Sequence, residues 1–491
     1  MRGIISHGVY LPHRRLDRST IAAVAGTGGG KGTRTVASYD EDTTTLAVEA
    51  GRRALAATKA RPDSLWFSTV TPAYVDKTNA TAIHAALRLD DRAMAADFGG
   101  AVRSGVAALR AALTGGPTTL LVSADIRTGL PGSADEAAGG DGGAALLVGD
   151  EDAGPVLAEL IGAGTITDEF LDRWRSPGDI RSKQWEEKFG ETRYVPLAVA
   201  TLDAALADAG IDRDRIDHLV LASTHARAAK TSLRKLGVDS AKVTNDLTPV
   251  VGNPGAAQPA MLLASALESA APGQIVVLLS LADGADALVF RTTEAIASFE
   301  PAVPVAVQAA PDAGGPVAYG KFLAWRGMLS PEPPRRPEPA RPSASASARS
   351  EDWKFAFVGS RDSETGALHL PPARVSMEGG AIDHMDPAPM AEVGGTIVTY
   401  TVDKLVYSPS PPVVFAIVDF DGGGRAPLEL TDVDPGDVSI GDRVEMTFRK
   451  LFTADGIHNY FWKARPVRGR DGAHSKSTDA EPGDRTNEKG A

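Results

Sequence analysis

Hydrophobic positions along the chain recur at two periods. From Thr44 to Thr69 the string TTLAVEAGRRALAATKARPDSLWFST spaces apolar residues three and four apart, breaks at Pro62-Asp63 and resumes as a short apolar run. That pattern predicts a helix, a turn and a buried strand. From Val195 to Thr224 the string VPLAVATLDAALADAGIDRDRIDHLVLAST repeats the same order. A second pair follows in each half, TTLLVSADI (118–126) with GGAALLVGD (142–150), and GQIVVLLSLADGADALVFRT (273–292). Self-similarity of this kind predicts a duplicated domain. Runs such as LVLAS and IVVLLS are continuously apolar, as expected for strands covered by helices on both faces. Helices alternating with buried strands predict a layered α/β fold, each half contributing one mixed sheet.

The pattern changes near residue 330. The run SPEPPRRPEPARPSASASARS (330–350) combines frequent proline with Ser/Ala alternation and predicts an extended linker. Beyond it, TIVTYTVDKLVY, PVVFAIVDFD, RAPLELTDV and DRVEMTFRKLF are short runs of partial period-two alternation separated by Gly, Pro and Asp turns. These predict a small all-β barrel of the OB-fold type. After Val467 the chain is polar and predicted to be disordered. The expected organisation is 1–328 for the duplicated domain, with halves of about 1–165 and 166–328. A linker at 329–352, a β domain at 353–467 and a tail at 468–491 follow.

Charge and composition narrow the functional classes. With 63 acidic against 51 basic residues the net charge is −12, which argues against nucleic-acid or anionic-membrane partners. No apolar run reaches the length of a membrane span and the first residues lack a signal-peptide core, so a cytoplasmic protein is expected. The 491 residues include no cysteine. A thiol nucleophile and a cysteine-bound metal are therefore excluded.

The segments GIISHGVYLPHRRL (3–16), VASYDEDTTTLAVEAGRRAL (36–55) and STVTPAYVDKTNATAIHAALRL (68–89) resemble, in order, the opening of hydroxymethylglutaryl-CoA synthases, especially the archaeal type, and of ketoacyl synthase III enzymes. The resemblance covers roughly 1–292. It implies the thiolase fold, a duplicated five-layered α/β/α/β/α arrangement. The stretch FVGSRDSETGALHLPPARVSMEGG (357–380) and the barrel strands after it resemble the OB-fold proteins that accompany thiolases in acyl-CoA complexes. In those proteins a zinc knuckle with two Cys-x-x-Cys pairs precedes the barrel.

What the resemblance implies for the sites is mostly loss. In ADFGGAVRSGVAALRAAL (96–113) the family's nucleophilic cysteine falls on Val102, and a valine cannot carry an acyl group. The family's acid/base glutamate falls on Val70. His225 in ASTHARAAK and Asn253 in VVGNPGAAQPA fall on retained family positions that would hydrogen-bond a thioester or enolate oxygen. Each also has a structural alternative: a satisfied histidine at a strand end, and a turn-forming asparagine. Tyr39, Tyr74 and Tyr194 are phenols with the same two alternatives, and the Asp141–Gly143 strand start and the glycine-rich 25–33 loop are expected to be structural. The knuckle ligands fall on Asp362, Thr365, Ser376 and Gly379, so zinc is not expected and no other cofactor is implied. His369, His384 and Asp386 lie nearby and are not expected to assemble a metal site.

Two functions are expected, beside a remainder in which the old pocket is unused and the fold serves only as an oligomerisation or regulatory module. One is a non-catalytic subunit that binds acyl-CoA or acts as a scaffold in an acyltransferase or aldolase complex, with a thiolase-type acyl-CoA enzyme as partner. The other is a cysteine-independent carbon–carbon bond-forming or cleaving enzyme that uses His225 and Asn253. A homodimer or heterotetramer is expected from the resemblance.

Overall fold

The computed structural model describes residues 1–467; the tail expected to be disordered, 468–491, lies outside the described residues. The chain divides into two compact units, one of Met1–Phe357 with Phe448–Phe461, the other of Val358–Thr447 with the residues from Trp462 on. The tip of the last hairpin, Phe448–Phe461, belongs with the first unit.

Nine strands form the main sheet of the first unit: β1 (Arg2–Tyr10), β2 (Ser64–Ser68), β3 (Met94–Asp97), β4 (Thr119–Ile126), β5 (Asp141–Asp150), β6 (Ala158–Thr167), β7 (His218–Ser223), β8 (Ile275–Leu281) and β9 (Gly284–Thr292). Their order is β7-β8-β9-β6-β1-β5-β4-β2-β3. The duplication is visible in the pairing. In the first half β2 runs parallel to β4 (Leu65↔Leu120) and β4 antiparallel to β5 (Val122↔Ala145). In the second, β7 runs parallel to β8 (Leu219↔Val277) and β8 antiparallel to β9 (Val277↔Val289). Where β3 flanks β2, a single parallel bridge, Leu219↔Val243, flanks β7.

One sheet per half was expected, and the two halves are instead continuous. The first strands of the halves, β1 and β6, pair through Gly3↔Glu159 and Ile4↔Ala158. Pairing there satisfies backbone groups that two separate sheets would leave on open edges.

Five helices position the site: α1 (Thr43–Ala56), α2 (Arg103–Thr114), α3 (Glu187–Ala209), α4 (Ala226–Lys235) and α5 (Gln258–Leu267). α1 covers β1, β4 and β5, and α3 covers β6, β8 and β9. α2 and α5 contact each other and strands of both halves. Their apolar residues, Val106, Leu109 and Leu113 on one and Met261, Leu262 and Leu263 on the other, share one core cluster with Leu146, Leu278 and Leu288. α1 starts where its sequence says it should: Asp42 Oδ1 accepts from Thr45 N at 3.0 Å and Thr45 Oγ1 accepts from Asp42 N at 2.9 Å. α3 begins eight residues before the apolar periodicity does and carries Pro196 inside.

The linker also departs from expectation. Ala344–Arg349 and Glu351–Ala356 are helical, because alanine favours helix and the proline-rich part ends before them. Trp353 then packs on Phe357 and Phe461, with ring centroids 5.1 and 5.2 Å apart.

In the second unit, Val358–Asp362, Leu368–His369 and Met385–Pro389 form a three-stranded sheet. The strands Gly395–Asp403, Val413–Phe420, Arg425–Leu430, Arg443–Ala454 and Ile457–Pro466 close into a five-stranded barrel. Among the described residues no helix is long and apolar enough to cross a membrane.

Candidate functional site

Val70, Val102, His225 and Asn253 come from four segments of the first unit, and the structure links them. Val102 is the residue just before α2, half-buried and already helical in conformation. One turn on, a side chain at Gly105 would stand 3.3 Å from both Ser68 Oγ and Ser123 Oγ and 3.4 Å from Ala256 O. The start of α2 therefore lies against the ends of β2 and β4 and against the loop that follows Asn253.

Asp125, at the end of β4, ties that loop to Val70. Its Oδ1 accepts from Val70 N at 2.8 Å and Thr69 Oγ1 at 2.9 Å, and its Oδ2 accepts from Ala256 N at 2.6 Å. Burial pushes the Asp125 carboxyl up, with Arg127 and these donors pulling the other way.

His225 and Asn253 are the polar side chains that could face a reacting oxygen, and neither is free to do so. His225 caps α4: its Nδ1 accepts from Ala228 N at 3.0 Å, which leaves the proton on Nε2, and Nε2 donates to Glu187 O at 2.9 Å. The Asn253 amide nitrogen donates to Ser223 O at 2.7 Å and Gln258 Oε1 at 2.9 Å, while its oxygen accepts from Gly255 N at 2.9 Å. Ser223 also joins the two residues, because its Oγ accepts from His225 N at 3.0 Å. Both side chains are thus satisfied by other groups of the chain.

The segment that engages His225, residues 168–190, carries no apolar periodicity, so no sequence signal marked it. It holds a two-stranded ladder, Arg173–Trp174 with Lys183–Gln184. Asp172 Oδ1 lies 3.8 Å from His225 Nε2, and burial raises the Asp172 carboxyl. Arg173 makes a two-pronged bond to Asp135 at 2.6 and 2.8 Å, and Arg175 donates to the Val70 carbonyl. At Gly190 a Cβ would stand 2.6 Å from His225 Nε2 and 2.7 Å from Asp172 Oδ1, so only glycine permits α3 to start this close. One segment thus covers the histidine and touches the Val70 backbone.

The tyrosines are structural as well. The Tyr194 hydroxyl accepts from Asp283 N at 3.3 Å, and burial together with the Asp172 carboxylate raises its pKa. The Tyr74 hydroxyl accepts from His458 N at 2.8 Å, and Tyr39 packs against Trp325 at 6.2 Å. Asp141 accepts from Arg34, Ala37 N and Arg127 N, and Arg326 also pairs with it.

In the second unit the four knuckle positions still meet in space. The buried Asp362 carboxylate bonds Thr365 Oγ1 at 2.7 Å, Glu364 N at 2.9 Å and the Ser376 hydroxyl, which together hold it well below the usual carboxylate range. Gly379 closes the group, 3.8 Å from Thr365 Cγ2 when a Cβ is added. His369 Nε2 accepts from Met377 N at 2.9 Å, and His384 pairs with Glu364 at 2.6 Å. Asp386 lies in the strand paired with Arg361. One carboxylate, two neutral hydroxyls and a glycine do not fit zinc, which needs four nitrogen or sulfur donors with oxygen only occasionally. Among the described residues no group of three or more His, Asp or Glu is placed to hold a metal ion.

Comparison with known proteins agrees with this architecture. Residues 206–291 match the family described as 3-oxoacyl-[acyl-carrier-protein (ACP)] synthase III C terminal, and residues 389–449 match ChsH2, C-terminal OB-fold domain. The hydroxymethylglutaryl-CoA synthase of Methanothermobacter thermautotrophicus is 28% identical over 314 residues, covering 60% of this chain and 90% of the relative. That of Pyrococcus furiosus is 28% identical over 298 residues, covering 59% and 85%. A crystal structure of HMG-CoA synthase complexed with CoA superposes with a TM-score of 0.57 at 18% identity, covering 66% of this chain and 89% of that one. The 3-oxoacyl-(acyl carrier protein) synthase III, FabH, of Pseudomonas aeruginosa PAO1 gives 0.51 at 21% identity, covering 60% and 98%. The fold defines a thiolase-like α/β protein with an all-β OB-fold domain after it. Within that class the chain resembles the hydroxymethylglutaryl-CoA synthases and ketoacyl synthase III enzymes.

Proposed function

We propose that this chain is a non-catalytic acyl-CoA-binding subunit that works beside a thiolase-type enzyme, in a homodimeric or heterotetrameric complex. Val102 occupies the position of the family's cysteine and Val70 that of its glutamate, so the chain supplies neither the acyl carrier nor the acid/base. The observation that carries this is the state of the two retained polar residues. His225 spends both ring nitrogens on Glu187 O and Ala228 N, and Asn253 spends its amide on Ser223, Gln258 and Gly255. An oxyanion-stabilising group must aim a free donor at the reacting oxygen, and these donors are already used. Acyl-CoA as ligand is supported by the related HMG-CoA synthase solved with CoA.

Two measurements on the purified full chain test the proposal. Coenzyme A or acetoacetyl-CoA at a hundredfold excess over its Kd stabilises the native state by about 2.7 kcal/mol and raises the melting temperature. Acetoacetyl-CoA with acetyl-CoA yields no product without a partner. Turnover by the chain alone that disappears in His225→Ala would overturn the non-catalytic assignment, and the absence of any shift with coenzyme A would overturn the ligand.

A further inference from the structure

Within the second unit a cavity of about 630 Å³ opens between the knuckle lobe and the barrel turn at 421–424. Leu368, Leu370, Pro371, Met377 and Phe420 give it an apolar wall. The turn comes this close because Gly424 has φ +85, and a Cβ there would stand 2.7 Å from Leu368 Cδ2. Only glycine permits both. The volume falls within the range of roughly 300–1,000 Å³ that small-molecule pockets occupy.

Two polar features line the same cavity. Asp419 and Arg425 bond each other through both prongs at 2.5 and 2.8 Å, so together they bring no net charge to its edge. His369 is 4% exposed, and its Nε2 accepts from Met377 N at 2.9 Å. The ring proton therefore sits on Nδ1. That buried Nδ1–H has no partner within the chain. An unpaired buried donor lowers stability and is rare in a folded protein, so its place in the wall of a cavity points to an acceptor supplied from outside.

We propose that this cavity binds a neutral, mainly hydrocarbon molecule through one carbonyl oxygen, which accepts from His369 Nδ1. Neutrality follows from the paired Asp419 and Arg425, and the carbonyl from a donor that lacks an acceptor. The chain's own last residues, 468–491, include no large apolar side chain to seat there. A protein partner would need a complementary face of roughly 800 Å², far beyond the wall of one cavity. Met377 is 84% exposed and its thioether is flexible, so the wall beside the histidine adapts to the occupant. The proposal does not depend on the acyl-CoA assignment, which concerns the first unit, and probes without coenzyme A test it separately.

The experiment titrates the full chain, isotopically labelled at its methionine methyls, with cyclooctanone and with cyclooctene, which has the same ring and no carbonyl. The Met377 methyl signal, identified by its absence from Met377→Leu, should shift saturably in nuclear magnetic resonance spectra. Cyclooctanone should bind about three- to tenfold more tightly than cyclooctene, the worth of one net hydrogen bond. In His369→Gln the amide oxygen replaces Nε2 as acceptor for Met377 N and nothing replaces the Nδ1 donor, so the two probes should bind alike. No saturable shift at Met377, equal binding of both probes to the wild type, or a ketone preference that survives in His369→Gln would overturn the proposal. Tighter binding of cyclooctanecarboxylate than of the ketone would overturn the neutral ligand. A shift of the same signal with protein concentration alone would assign this face to a second copy of the chain, and would overturn it too. Should His369→Gln fold poorly, the comparison of ketone with alkene on the wild type still decides.

Discussion

Replacing His225 by alanine separates a structural histidine from a chemical one. The substitution removes the acceptor for Ala228 N at the start of α4, the donor to Glu187 O, and a buried ring set edge-on to Tyr194 at 5.8 Å. Loss of a helix cap costs about 1 kcal/mol. The second hydrogen bond contributes about another 1 kcal/mol. Truncating the ring where α3 has little room to collapse adds roughly 1–2 kcal/mol. The total is about 3–4 kcal/mol. A unit of about 370 residues has an unfolding entropy near 0.8 kcal/mol/K, so the first unit should melt about 4–5 °C lower. Scanning calorimetry reads this directly. His225→Asn keeps a good capping side chain and loses the Glu187 bond, so it should show about half the drop. A melting temperature within a degree of wild type for His225→Ala would mean that the histidine is not holding the segment 168–190, and the case for an occupied site would fail.

Two further outcomes follow from the same contacts. Asp362→Ala should lower the melting temperature of the second unit and leave the first unchanged, while EDTA or added zinc moves neither, because hydrogen bonds from Thr365, Ser376 and Glu364 do the holding; a zinc-dependent shift would contradict this. His7 and Glu268 lie 3.9 Å apart, with burial lowering His7 to about 4 and raising Glu268 to about 7. His7 is neutral when folded and costs stability as pH falls from 6.5 towards 4. Glu268 resists ionisation when folded and costs stability as pH rises from 4.5 through 7, each by up to about 3 kcal/mol. Glu268→Gln should therefore gain on wild type between pH 5 and pH 8 in urea unfolding, and an unchanged difference would refute the assigned shift.

The strands were legible because burial on both faces leaves uninterrupted apolar runs, as in Leu219–Ser223 and Ile275–Leu281, both almost wholly buried. The helix capped by His225 was not, since histidine is an unusual cap, and the ring's two partners, Ala228 N and Glu187 O, are backbone groups that no residue type signals. The segment 168–190 escaped notice for the same reason. Its hold on the site runs through Glu187 O, Val70 O and charge pairs rather than through an apolar stripe. In the linker, proline and Ser/Ala composition predicted extension, and alanine won over the last residues once aromatic packing by Trp353 was available. Family resemblance supplied positions, and only the geometry supplied their partners.

The two sites without cysteine are held together in different ways, and the difference bears on function. At the knuckle the spacing that would present four ligands to a metal now presents one carboxylate to two hydroxyls, so the lobe keeps its shape with the metal's work done by hydrogen bonds. Around Val102 the side chains of His225 and Asn253 are turned inward, to α3 and to Ser223, while the Ser68 hydroxyl at the end of β2 is buried without a hydrogen bond. An enzyme that had only changed its nucleophile would have to keep at least one donor aimed at its substrate, because the oxyanion contact supplies a large share of the rate in acyl chemistry. Here the ring of His225 and the amide of Asn253 are both spent on the chain itself, the observation that favours the proposed binding role over a catalytic one.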